Sequence, residues 1–148
     1  MSREGGLTVS SGLNQFQRTA LAVTLEQLEQ SVDEIERLLD GAPAGATYVT
    51  VVDLGPATIR QVREQCETAR CQVTEMAVAF ELPRRRSNVR QVIVAEMGAV
   101  WSRLEELRPS RLWRYGSVDP SLDETLAPRL ERLIHLVLAI DELARRGK

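Results

Sequence analysis

Residues 56–83 read PATIRQVREQCETARCQVTEMAVAFELP, and within them Ile59, Val62, Cys66, Ala69, Val73, Met76 and Phe80 recur at alternating steps of three and four. At 3.6 residues per turn this spacing puts all seven on a single stripe of one helix. Pro56 suits a first helical turn, where its missing N–H has no helical partner, and Pro83 stops the pattern because it cannot continue a helix. An amphipathic helix of this length needs other helices to cover its stripe, so the segment predicts a helix bundle.

The same periodicity, followed outward, predicts three more long helices. Leu21, Leu25, Leu28, Val32, Ile35 and Leu39 mark the first, from about Leu13 to Leu39. Phe16, Ala20 and Val23 lie on its neighbouring stripe, and Asp40-Gly41 ends it where glycine permits a left-handed cap. Val89, Ile93, Met97, Val100, Leu104 and Leu107 mark the third, opened by Ser87 as a capping residue and closed by Pro109. In the fourth, Ser121 and Glu124 fit a capping box, Leu126, Leu130, Leu133, Val137, Ile140 and Ala144 follow, and Pro128 bends the first turns. The expected fold is therefore all-α, an antiparallel up-down-up-down four-helix bundle over residues 13–148 behind a flexible arm over 1–12. Its two long connections, Asp40 to Gly55 and Pro109 to Val118, fall at one end of such a bundle, and long connections often carry function.

Composition narrows the function classes. With 148 residues, 43% hydrophobic, 27% charged and a net charge of −2, the chain reads as one soluble domain and neither as a disordered segment nor as a general polyanion binder. It has no apolar run of the roughly 18 residues a membrane helix needs, and Met1 to Gly12 lack the pattern of a signal peptide. The expectation is a cytoplasmic protein, of bacterial type given eighteen arginines against the single Lys148. Cys66 and Cys71 lie five apart on one predicted helix and diverge by about 140°, so they cannot bridge. Without a histidine or further cysteine beside them they cannot close a zinc site, and neither metal nor cofactor is expected.

Two ends of the predicted bundle collect chemistry. Tyr48 in the first long connection and Trp113 and Tyr115 in the second gather with Arg111 and Arg114, flanked by Arg108. Rings beside arginine are the groups that most often dominate protein interfaces, so this end is a candidate partner-binding surface, and its competing role is an apolar lid over the core. At the opposite end Arg84, Arg85, Arg86 and Arg90 meet Arg145, Arg146 and Lys148, with Arg3 and Arg18 nearby. Helix C-termini favour cations there, and an acidic protein surface suits that end better than nucleic acid because the chain as a whole is not basic. The third and fourth helices also carry more apolar surface than one stripe requires, as VIVAEMGAVW (92–101) and LIHLVLAIDEL (133–143) show. A second copy of the chain, making a homodimer through these helices, is the expected cover.

His135, the only histidine, stands among apolar residues and is expected buried or at an interface. Leu136-Val137-Leu138 after it excludes the histidine-lysine-glycine context of phosphotransfer bundles. Arg129, with five residues between it and His135, resembles the arginine-to-histidine spacing of the HEPN-class ribonucleases. That resemblance implies RNA cleavage by Arg129 and His135, although Leu130 stands where the family has a polar residue. Glu131 is four before His135 and no second histidine exists, so a ferritin-like di-metal site is excluded. No glycine-rich phosphate loop or nucleophile elbow is present. The reading that follows is a non-enzymatic interaction or regulatory module, with a HEPN-like ribonuclease and a small-ligand sensor as the competing classes.

Overall fold

The computed structural model describes residues 12–147, so all of the expected arm but Gly12, together with Arg3 and Lys148, lies outside the described residues. The regular structure among these residues is helical, with no strand: α1 (Gln15–Asp40), α2 (Pro56–Ala79), α3 (Val89–Glu106), a 3-10 turn (Leu112–Tyr115), a single turn α4 (Leu122–Thr125) and α5 (Ala127–Arg146). None of these helices is long and apolar enough to cross a membrane. The chain divides into two compact units, residues 1–84 and 85–148. Each is built on a pair of long helices.

In the first unit α1 and α2 pack against each other. Arg63 pairs with Asp40 at 2.9 Å, Arg70 with Asp33 at 2.8 Å and with Glu36, and Arg18 donates to the Glu81 carbonyl. These links step down one helix as they step up the other, so the two run antiparallel. The stripe read from the sequence of α2 faces inward: Cys66 and Val73 are buried and the other five members are at least half covered, against Leu25 and Val32 of α1. Cys71, off the stripe, is exposed.

The ends of these helices differ in part from expectation. Asn14 caps α1 in a reciprocal box: its side chain accepts from the Gln17 N–H at 2.8 Å, and the Gln17 side chain accepts from the Asn14 N–H at 2.9 Å. Asn14→Ala is expected to lower thermal stability by about 1 kcal/mol, read from denaturation curves. Gly41, expected in a left-handed cap, is extended (φ 179°) and begins the connection instead. The left-handed cap belongs to α2, where Glu81 (φ 52°) lets its own N–H reach the Val78 carbonyl and the Leu82 N–H reach that of Ala77. The β-branched run 48–52 is indeed not helical. It forms a tight reversal with one antiparallel bridge, Ala44 to Val49, held by Gly45 N–H to the Tyr48 carbonyl and Thr50 N–H to the Pro43 carbonyl.

In the second unit α3 packs against α5. Arg108 reaches Glu131 at 3.1 Å and Arg90 donates to the Gly147 carbonyl, so these helices are antiparallel as well. Leu130, Ile134 and Val137 form the buried line of α5. The sequence predicts one fourth helix starting near Asp119-Pro120 or at a Ser121–Glu124 capping box. Instead Ser121 makes no side-chain cap, the Asp119 carboxylate accepts from the Ser121 N–H, and the chain makes α4 before α5 begins at Ala127. Pro128 explains the division, because its ring displaces the carbonyl of Glu124 from the helical ladder and its nitrogen has no hydrogen to donate. Helix α3 likewise starts two residues beyond Ser87, with Asn88 at the cap position.

Candidate functional site

The second unit holds most of the residues singled out from sequence. Arg111 leads into the 3-10 turn, whose four residues are Leu112, Trp113, Arg114 and Tyr115. Leu112 turns partly inward, while Trp113 and Tyr115 are 66% and 74% exposed. Gly116 at φ 133° ends the turn in a conformation that side chains rarely adopt. Beneath it Arg108 holds Glu105 at 2.6 Å as well as Glu131, so one half-buried guanidinium joins α3, the start of the connection and α5. The third expected aromatic, Tyr48, belongs to the first unit. Its ring lies over Gly45, where a Cβ would come within 2.7 Å of a ring atom, so a side chain at that position would have to push the exposed ring aside.

Arg108 holds the Glu105 carboxyl below its ordinary value, Arg37 does the same for Glu34, and the Ser121 backbone N–H lowers Asp119. A carboxyl lowered in the folded state adds stability above its unfolded value, and that stability drains away as pH falls through the lower folded value. Folding stability is therefore expected to be level above the ordinary carboxylate value of 4.5 and to decline below it, as melting temperatures across the acid range would show.

Arg90 to Gly147 brings the start of α3 to the end of α5, so Arg90, Arg145 and Arg146 share one end of this unit with Arg86 a few residues upstream. Arg145 is committed to Asp141 at 2.7 Å, and Arg146 lies 3.9 Å from Glu142. An open cleft of about 480 Å³ lies here, lined by Arg90, Gln91, Val94, Ala95 and Arg145. Arg84 ends the first unit, and Arg85 opens the second.

Of the two settings expected for His135, buried or interfacial, the first does not hold, since it is exposed on α5. The buried line of that helix passes through Ile134 and Val137, and one residue from Ile134 is about 100° round the axis. Arg129 is exposed too, and its guanidinium bonds to the Thr125 carbonyl at 2.5 Å. It stands six positions before His135, which directs the two side chains about 120° apart. Glu96, the one charged residue of VIVAEMGAVW (92–101), is exposed. No group of three or more histidine, cysteine or acidic side chains suited to a metal ion occurs among the described residues.

The feature that sequence reasoning grasped only as surplus apolar surface has a definite shape. Leu133, Leu136, Ile140 and Leu143 form a second line on α5, spaced three, four and three apart, and all four are exposed. Leu136 and Leu143 are 60% and 65% open. No protein-family model, curated protein or solved structure matches the chain.

Proposed function

We propose that this chain is a non-enzymatic helical interaction module of a bacterial-type cytoplasm, which recognises protein and pairs with a second copy of itself through α3 and α5. The observation that carries this reading is the exposed line Leu133, Leu136, Ile140 and Leu143. A helix on a protein surface ordinarily turns one apolar stripe inward and a polar face to water. Helix α5 has a buried stripe and a second apolar stripe beside it, and contiguous exposed apolar surface of that kind marks protein association. For the four long helices we retain the antiparallel up-down-up-down bundle as a proposal, supported by the antiparallel pairing within each unit. The α3–α5 pair has exposed apolar residues on both faces, Trp101 and Leu138 on one and the Leu133 line on the other, so one face suffices for a bundle and the other remains for a second copy. Light scattering across a range of concentrations tests self-association directly.

The aromatic turn is proposed as the surface for a different protein, with Trp113 and Tyr115 as anchors and Arg111 and Arg114 beside them; Tyr48, exposed in the first unit, is proposed as a partner-binding residue of that unit. The exposure of both rings supports recognition over a lid role, because a lid excludes water from its rings. Trp113→Ala is accordingly expected to change stability by less than about 0.5 kcal/mol, as for an ordinary surface substitution. A loss of about 3 kcal/mol, the size seen for buried aromatic residues, returns the turn to a lid.

A further inference from the structure

The contacts that join α3 to α5, Arg108 to Glu131 and Arg90 to the Gly147 carbonyl, mark one face of the hairpin. About 140° round α3 from Arg90 and Arg108 runs another line of side chains, Val92, Glu96, Ala99 and Arg103, with Leu107 continuing it past the helix end. The matching line on α5, about 160° from Glu131, is Leu133, Leu136, Ile140 and Leu143. All these residues are exposed. Their apolar members offer on the order of 500 Å² per hairpin, so two such faces together reach the ~1,000 Å² at which specific interfaces begin.

Two charges on this face restrict what covers it. Glu96 and Arg103 stand one heptad apart on α3 and make no hydrogen bond or ion pair among the described residues. A purely apolar cover would desolvate both without compensation, which opposes binding. The chain itself supplies the complement. Two copies of α3 laid antiparallel about a two-fold axis midway between Glu96 and Arg103 bring Glu96 of each against the partner's Arg103. They also set Val92 against the partner's Leu107, with the small Ala99 beside the axis, where it permits close approach. The Arg108 and Arg90 contacts fix the level of α5 against α3, and the same axis meets α5 between Leu136 and Ile140, the middle of its exposed line. Both lines are therefore self-complementary about one axis. The other two-fold, parallel to the helices, sets Glu96 level with Glu142 and Arg103 level with His135, leaving both without a counter-ion.

We propose that the α3–α5 hairpins of two copies pack antiparallel about this axis, α3 on α3 and α5 on α5, with reciprocal Glu96–Arg103 ion pairs setting the register. The proposal rests on the reading that the chain self-associates through these helices. Arg132 faces the partner's Arg146 at the rim of such a pair. That opposition is weak, because both groups are exposed and Glu142 lies beside Arg146.

The test is a charge exchange in the full chain, read as dimer dissociation constants by light scattering and sedimentation, with helical content by circular dichroism as the control for folding. Glu96→Arg and Arg103→Glu, each placing like charges opposite one another twice per dimer, are expected to weaken the dimer by roughly tenfold or more. The double variant Glu96→Arg with Arg103→Glu restores the opposed pairs and is expected to return affinity to within a few-fold of the original chain. A dimer indifferent to both single changes, or not recovered by the double one, overturns this geometry while self-association stands. A wild-type chain that stays monomeric overturns both, and the face then belongs to another segment or another protein.

Discussion

Ile134→Ala is expected to lower folding stability by about 3 kcal/mol, the largest effect of any single truncation in the second unit. Ile134 is 3% exposed and sits midway along the buried line of α5, between Leu130 and Val137. Removing its branched side chain forfeits the transfer energy of the lost carbons and leaves a cavity that two packed helices cannot fully close. The contrast with its neighbour makes the prediction specific. Leu133, one position earlier and exposed, is expected to cost less than about 1 kcal/mol on truncation to alanine when the protein is dilute enough to be monomeric. Denaturant unfolding monitored by circular dichroism separates the two, and equal losses at both positions would contradict the assignment of inner and outer lines on α5.

Leu136→Asp is expected to abolish self-association while leaving the fold of the monomer in place. Leu136 is 60% exposed in the single chain, so an aspartate there remains hydrated and costs the folded monomer little. In the proposed dimer the same position meets the partner's Ile140 close to the axis, and the symmetry puts two carboxylates into that apolar seam. Desolvating them without partners is expected to raise the dimer dissociation constant by at least roughly 100-fold. Sedimentation together with helical content checks both halves of the expectation. A variant that dimerises as the original chain does would place the interface elsewhere, and one that loses its helices would show that Leu136 belongs to the core.

How much of this was legible beforehand follows from which interactions are local. The stripe of α2 could be read to the residue because an amphipathic helix writes its buried face at a period that no other structure shares, and proline marks both of its ends. Asn14, by contrast, escaped notice. A capping box usually carries serine or threonine with an acid, and here asparagine and Gln17 make the same two bonds. The division of the fourth helix was half visible, since Pro128 promised a bend. Whether a proline bends or interrupts a helix depends on the packing around it, and here the turn α4 stands apart from α5. His135 shows the commonest limit. In LIHLVLAI apolar residues occupy two faces of one helix, so apolar neighbours in sequence did not imply burial, and only the pairing of α5 with α3 settles which of the two faces is covered. The aromatic residues were found by type alone. That Trp113 and Tyr115 lie on a solvent-facing 3-10 turn ended by Gly116 depends on backbone geometry that composition does not encode. Arg108 was noted as a flanking charge, and its role in tying Glu105 to Glu131 needed the antiparallel register of α3 and α5.

The account turns on whether the second apolar line of α5 is an interface between copies of the chain. The mass of the wild-type protein in solution, measured by light scattering from low to high micromolar concentration, tests this most directly. The predicted result is twice the chain mass, falling toward one chain mass on dilution and abolished by Leu136→Asp. One chain mass throughout that range would contradict it.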